Sequence, residues 1–548
     1  MAESKIKPDG FGELPSSAVE YINLVIKNMR YRKKVRDEVR EELVDHFEGY
    51  LNDCTANEEK EQKAQQLISE FGDAKVLAIL MRRAKKRCRP LWQKILVRSF
   101  AVAMVIIAYL IICDSWLSMG IPTIRINYAQ WLTDQQRQGR DESLNAMPEI
   151  KKIAELTRKT DDWMTANDIL RIWPGDMNDD QKAEIKNFLP IADKILDSLN
   201  KALEKPYFWT DYNSAGPIII EVNSVLVANP GFMNNMTQPL VSYRQIGYIL
   251  VARINSRAYS GDVNGTVDDL LTLIKFSSHL YGQGVLVEQL VAMAIEALAC
   301  NRTTTILSRV DLPAAQLNRL QDEMANSYKT NEFPMNLTGE KAFWYDHIQL
   351  GFTDNGKGNG RMLRAGAPYF TRDWKDAIWS FLTFSYPNRQ QALALVENMF
   401  KQAHDNLQNT PWQMKDRMPI KEPTSRNPYS WTQILQPAYS RIWIFAWRCK
   451  VQREATLTIL AAMRYEKDKG AFPDNLEELV KTGYMTKVPA DPFGPGPLTY
   501  KKTGDGFILY SWGENLKDDD GQVARSDKGK ITQWAPEGDW VFWPVEKN

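Results

Sequence analysis

The stretch nearest to a chemical motif is Gly351-Phe352-Thr353-Asp354-Asn355-Gly356-Lys357-Gly358, which has the glycine, four residues, Gly-Lys spacing of a phosphate-binding loop. Such a loop cradles phosphates with backbone N–H groups, and a Ser or Thr after the Lys holds Mg²⁺. Here Gly358 replaces that hydroxyl, and Asn359-Gly360-Arg361 is a poor opening for the helix whose N-terminus must face the anion. Nucleotide chemistry is therefore not expected. Glu296, within the apolar run AMAIEALAC, reads as a carboxylate with a raised pKa or, in the plainer reading, a buried group paired with an arginine. The four histidines, His46, His279, His347 and His404, are far apart in sequence, and there is no HExxH, GxSxG or paired CxxC. No catalytic constellation is visible. The sequence points to a non-enzymatic protein that works by binding, although distant residues can still converge into an enzyme site.

These residues need elements to hold them. The chain has 548 residues, enough for several domains. Its 69 basic and 68 acidic residues give no overall footprint for nucleic acid, so no direct nucleic-acid partner is expected. The 17 tryptophans argue for packed cores. Ser99 to Cys113 is uncharged, and with Ile95-Leu96-Val97 before it and Trp116-Leu117 after it the stretch is long enough to cross a bilayer. Trp92 and Trp116 suit the two interfaces, and Arg98 can extend to the headgroups. Arg82, Arg83, Lys85, Lys86, Arg87, Arg89, Lys94 and Arg98 crowd its N-terminal side, which places the N-terminus in the cytoplasm and suits anionic lipid. The apolar run starts too late for a cleaved signal peptide. Of the five cysteines, Cys300 and Cys449 would lie outside the membrane, allowing at most one disulfide there.

The expected fold is mainly α and multidomain. Residues 1–92 form a cytoplasmic helical bundle, 93–118 the single transmembrane helix, 119–450 an extracytoplasmic domain of αα-hairpins, and 451–548 an α+β module with a small antiparallel sheet. In the bundle, Val19, Ile22, Val25, Ile26 and Met29 recur at helical spacing, as do Val35, Val39, Leu43, Phe47 and Tyr50. Thr55 to Glu58 reads as a capping box for a third helix with Leu67, Ile68 and Phe71 inside, and Gly72 as its C-terminal cap. Asp73 opens a fourth helix containing Val76, Leu77 and Leu80. His46 reads as a packing or surface residue. In the large domain the spacing predicts helices over 242–258, 267–281 and 285–308. Long loops are expected at 353–366 and 414–428, and a helix near 455–469 followed by strands around 497–500 and 506–511.

The order YINLVIKNMRYRKKVRDEVREELVDHFEGYL then AQQLISEFGDAKVLAILMRRAKKRCRP resembles the HAAS family of small bacterial helical domains found before membrane segments, over about residues 17–85. That resemblance implies a relay or regulatory contact with a cytoplasmic protein, of the kind linked to PadR-type regulators. Gly470 to Leu479, Val488-Pro489-Ala490-Asp491-Pro492-Phe493, Gly506 to Gly513 and Asp518-Asp519-Asp520-Gly521 resemble the C-terminal domain of G-type pseudopilins of type II secretion, over about 455–545. The resemblance implies Ca²⁺ held by Asp518, Asp519 and Asp520, with Asp539 a further ligand. Hard carboxylate oxygens suit that ion, and three adjacent aspartates also make an ordinary solvated turn. Arg448, Lys450, Arg453 and Glu454 stand where a pseudopilin needs a greasy assembly helix, which speaks against polymerisation. The resulting expectation is a bacterial inner-membrane scaffold or sensor with protein partners on both sides. The alternative is an accessory component of a type II secretion or pilus-like machine.

Overall fold

The computed structural model describes residues 11–87, 91–158, 170, 172–213, 218–222, 225–229, 240–281, 284–328, 335–363, 387–417, 436–526, 529, 531–532 and 534–545. The chain is mainly helical, with a small three-stranded antiparallel sheet near the C-terminus. It divides into two compact units, Met1–Ile112 and Cys113–Asn548.

In the first unit α1 (Ser16–Asn28), α2 (Lys33–Leu51), α3 (Asn57–Phe71) and α4 (Ala74–Arg87) enclose one core. Ala18, Ile22, Val25, Val39, Leu43, Phe47 and Leu67 are buried in it, as their spacing predicts. Gly72 adopts φ +73°, a conformation that suits glycine, and its N–H donates to the Ile68 carbonyl to end α3. Asp73 Oδ1 then accepts from the N–H groups of Lys75 at 2.6 Å and Val76 at 3.3 Å, capping α4. Two expectations fail here, the first in the apolar stripe of α2, where Tyr50 is 40% exposed. The capping box at Thr55 does not form, because α3 starts at Asn57 with Ala56 in the cap position and no side-chain bond. On α4 it is Ala74, Ala78, Leu77 and Met81 that pack inward, whereas Val76 and Leu80 are each 54% exposed.

Helix α5 (Leu91–Ser118) carries the apolar span. Among the described residues two helices are long and apolar enough to cross a membrane: Ile95–Cys113, with mean hydropathy 2.6 and none of its window buried, and Leu286–Leu307, with mean hydropathy 1.3 and half of its window buried. The side chain of Trp92 lies outside the described residues, while Trp116 lies under the guanidinium of Arg361, 4.2 Å from its ring centre.

The second unit is built from α6 (Tyr128–Arg137), α7 (Met147–Arg158), α8 (Asp179–Ala202), α9 (Leu240–Tyr259), α10 (Val263–Leu280), α11 (Leu286–Leu307), α12 (Ala314–Ser327), α13 (Thr338–Gly351), α14 (Arg389–Leu407), α15 (Gln436–Lys469) and the short α16 (Leu476–Lys481). Helices α9, α10 and α11 match the three predicted hairpin segments closely and pack on one another in turn. A hairpin of β1 (Ile218–Val222) and β2 (Val225–Asn229), with Ile218 opposite Asn229, interrupts the region read as helical throughout. Of the two expected loops, 364–366 and 418–428 lie outside the described residues.

Helix α15 runs without a break through residues 450 and 451, where a domain boundary is expected. Its Leu457 and Leu460 complete the core made by α7 to α12, while Ala446, Val451, Ala455 and Ile459 belong to a second core under the sheet. Arg453 and Glu454, two of the charges that stand where a greasy assembly helix would be needed, are buried. In the sheet β4 (Gly506–Ser511) lies between β3 (Thr499–Thr503) and β5 (Trp540–Trp543), all antiparallel. Phe507 and Leu509 of β4 and Trp540 and Phe542 of β5 alternate inward onto the second core, as period-two strands require. Asp491 fastens the preceding loop to the end of β4. Its carboxylate accepts from the Phe493 N–H at 2.9 Å, the Ser511 hydroxyl at 2.7 Å and the Trp512 N–H at 2.9 Å.

Candidate functional site

A cavity of about 520 Å³ opens in the second unit where the end of α11 meets α15, the segment before α8 and the C-terminal strand β5. Helix α11 contributes Asn301, Arg302, Thr304 and Thr305, and α15 contributes Gln452 and Thr456. Trp173 and Asp176 form one wall, and Trp534, Glu537, Asp539 and Trp540 another. Among the described residues the lining contains no histidine, cysteine or lysine.

Arg302 is set deep in this lining, 7% exposed. Its Nη1 donates to Asn255 Oδ1 at 2.8 Å, and Asn255 Nδ2 donates to the Ile172 carbonyl at 3.2 Å, so the guanidinium is held from behind. Its Nε has no hydrogen-bond partner, and among the described residues no carboxylate pairs with it. Arg309, one turn beyond α11, stacks over Trp173 at 4.8 Å and reaches Asp176 at 3.6 Å. A buried guanidinium keeps its charge and offers a fixed fork of donors, which suits carboxylate or phosphate oxygens, and the indoles offer flat apolar walls. A cavity of this size suits a small molecule or a short peptide segment.

Behind the cavity, Glu296 meets the partner expected for it. Arg453 Nη1 lies 3.0 Å from Glu296 Oε1, the Tyr281 hydroxyl donates to Glu296 Oε2, and the Arg453 guanidinium stacks over the Tyr328 ring at 5.2 Å. Both charged groups are almost wholly buried. The sequence also hides a second carboxylate of this kind, Glu288, bonded to the Tyr212 and Thr210 hydroxyls beneath the first turn of α11. Cys300 and Cys449 are buried free thiols.

The near-phosphate loop is occupied by its own aspartate. Asp354 Oδ1 accepts from the N–H groups of Gly356 at 2.8 Å and Gly358 at 3.0 Å, while Oδ2 pairs with Arg125 at 2.7 Å and Arg389 at 3.2 Å. The amides that would cradle a phosphate are thus turned onto a buried carboxylate. His46 rests against the Phe71 ring at 5.5 Å, and His347 packs on Phe343 at 4.2 Å.

Asp518, Asp519, Asp520 and Asp539 come to one corner of the sheet, each with a different protein partner. Asp539 accepts from the N–H of Gly521 at 2.6 Å and of Asp519 at 3.2 Å. Burial raises its pKa to about 6 despite those bonds, and Asp518 and Asp519 add to the rise. Tyr510 donates its hydroxyl to Asp518 at 2.9 Å, Asn515 donates to Asp519 at 2.7 Å, and Lys501 pairs with Asp520. Among the described residues no three acidic, histidine or cysteine side chains converge as a metal cage. The donor set as it stands does not fit Ca²⁺, which wants six or more oxygens around one point.

No protein-family model, curated protein or solved structure matches this chain. The cavity, the buried ion pair and the apolar helix are therefore weighed on their chemistry alone.

The sequence singles out Glu296 and Asp539, which border this region, but not Arg302, Arg309, Gln452 or Trp534. Only the apolar context of Arg302, in a helix otherwise rich in aliphatic residues, signals that its charge is buried.

Proposed function

We propose that this chain is a bacterial inner-membrane protein that crosses the bilayer once, through Ile95–Cys113, and works as a non-enzymatic scaffold or sensor. Its N-terminal bundle faces a cytoplasmic protein partner, and its large unit binds a ligand or protein on the other side. The observation that carries this reading is the 19-residue apolar stretch with none of its window buried, set between a small bundle with a core of its own and a large folded unit. In water, side chains such as Phe100 at 65% and Val105 at 69% exposure would be strongly unfavourable, whereas lipid accommodates them. Leu286–Leu307 serves as a core helix in this reading, since it carries Glu288, Glu296 and Arg302 and packs against α10 and α15. The cavity at Arg302 supplies the binding half of the proposal.

Protease added to intact spheroplasts is expected to digest the region after residue 118 and leave a protected fragment of roughly fourteen kilodaltons, because the basic flank holds the N-terminus inside. A protected C-terminal unit would reverse the orientation, and two protected regions would add Leu286–Leu307 as a second span.

A second reading, an accessory role in a secretion machine, draws on the long helix α15 leading into the β3–β4–β5 meander. Against polymerisation through α15 stands its packing on α11 and α12 of the same chain. Ca²⁺ belongs to this reading, and its binding would require Asp518 and Asp519 to leave Tyr510 and Asn515. If it binds, melting of the full chain in detergent should shift upward with Ca²⁺, by about 3 kcal/mol of stability at a hundredfold excess over Kd. Equal melting in millimolar Ca²⁺ and in chelator leaves a turn held by its own hydrogen bonds.

A further inference from the structure

We propose that the outer face of α4 is a lipid-binding surface that lays the N-terminal bundle against an anionic bilayer. The proposal rests on the reading that Ile95–Cys113 spans the membrane.

Three observations lead to it. At 100° per residue, Val76, Ile79, Leu80, Arg83 and Lys86 fall within an arc of about 120° on one side of α4. Val76, Ile79 and Leu80 are 54%, 51% and 54% exposed, and Arg83 and Lys86 are exposed as well. The opposite side, Ala74, Leu77, Ala78 and Met81, fills the bundle core, so the outer aliphatic row is surplus to folding. Lys85, on the inner side, pairs with Glu42 and is not part of the outer face.

The second observation is the order of residues along that face, three aliphatic side chains followed by two cations. An apolar row with basic neighbours is the composition that lies in a bilayer interface, with aliphatic groups among the upper acyl chains and cations at phosphate oxygens.

The third is reach. Four Cα–Cα steps separate Arg87 from Leu91, so the end of α4 is within about 14 Å of the start of α5. From Leu91 to Ile95, where the apolar span opens, is one further helical turn of about 6 Å. The cationic end of the face is thereby tethered within about 20 Å of the start of the apolar span. Of the surfaces available, the bilayer is always present there. Binding through the face would fix the tilt of the bundle on the membrane and leave α2 and α3 for a cytoplasmic partner.

The test uses the full chain in lipid nanodiscs, with a benzophenone amino acid placed singly at Ile79, at Gln65 on α3, or at Val105 in the span, and mass spectrometry of the photoproducts. In nanodiscs containing phosphatidylglycerol, lipid adducts at position 79 are expected to exceed those at position 65 severalfold. They should fall roughly tenfold in pure phosphatidylcholine or with Arg83→Glu and Lys86→Glu together. Adducts at 79 no more frequent than at 65, adducts to protein only, or equal yields in the two lipid mixtures would overturn the proposal. Position 105 separates the two readings. Lipid adducts there without any at 79 reject the lipid face and keep the span, whereas none at 105 rejects the span itself.

Discussion

Arg453→Met is expected to lower the stability of the large unit by roughly 3–5 kcal/mol, the cost typical of breaking a buried ion pair from one side. Arg453 is the cation that compensates Glu296 in the middle of the unit, and both are almost wholly removed from water. Removing it leaves a carboxylate that must either stay charged in an apolar setting or take up a proton. The pair itself is not a large source of stability, since Arg453 Nε and Nη2 have no hydrogen-bond partners and desolvation offsets most of the attraction. Glu296→Leu combined with Arg453→Met should therefore recover most of the loss, short of about 1 kcal/mol for the Tyr281 hydroxyl that loses its acceptor. Denaturant unfolding of the detergent-solubilised chain, followed by tryptophan fluorescence, measures both. A single substitution costing under about 1 kcal/mol would show that the pair is not a keystone of this core.

The second large effect concerns two aspartates with the same pKa and opposite roles. Asp346 on α13 is buried, its Oδ1 has no hydrogen-bond partner, and burial alone pushes its pKa up to about 6. The folded state therefore binds this proton more tightly than the unfolded state does. Stability from this group is full below about pH 4 and is lost as pH rises through about 6. Two pKa units correspond to about 3 kcal/mol. Asp346→Asn should accordingly stabilise the protein by roughly 2 kcal/mol at pH 8, after some loss for an amide without ideal partners, and give no gain near pH 4. Asp269 is also raised to about 6 by burial, but Arg253 and Arg257 lie 3.1 Å from its two oxygens. Asp269→Asn strips both arginines of their shared counter-charge and should destabilise at neutral pH. Stability curves for the two variants between pH 4 and 8 should therefore separate in opposite directions. Parallel curves would mean that burial, without regard to partners, governs both sites.

Much of the helical plan is legible in sequence because it rests on short-range rules. Gly72 and Asp73 mark a helix end and the next helix start through their own backbone and side-chain chemistry, and the structure has both. The aliphatic spacing of 242–308 is strong enough to locate α9, α10 and α11 closely. The failures have physical causes. On α4 the close approach of α1 selects the small Ala74 and Ala78 for the core and leaves the bulkier Val76 and Leu80 outside, a choice that a count of aliphatic residues does not reveal. The burial of Arg453 and Glu454 is not legible because the partner that neutralises Arg453 lies more than 150 positions away, in α11. The cavity is illegible for the same reason. Its walls come from residues near 173, 302, 452 and 540, and no local pattern announces that these will meet.

Helix α15 threads two cores with one continuous rod, and this limits how the protein can be taken apart. A fragment beginning at residue 451 would keep Leu457 and Leu460 with no core to enter, and a fragment ending at 450 would leave an empty slot beside α11. Neither half is a portable cassette. The tail cannot be exchanged or released without unsealing the helical body, so a disturbance at the sheet has a rigid lever arm leading directly to the arginine at the centre of the fold.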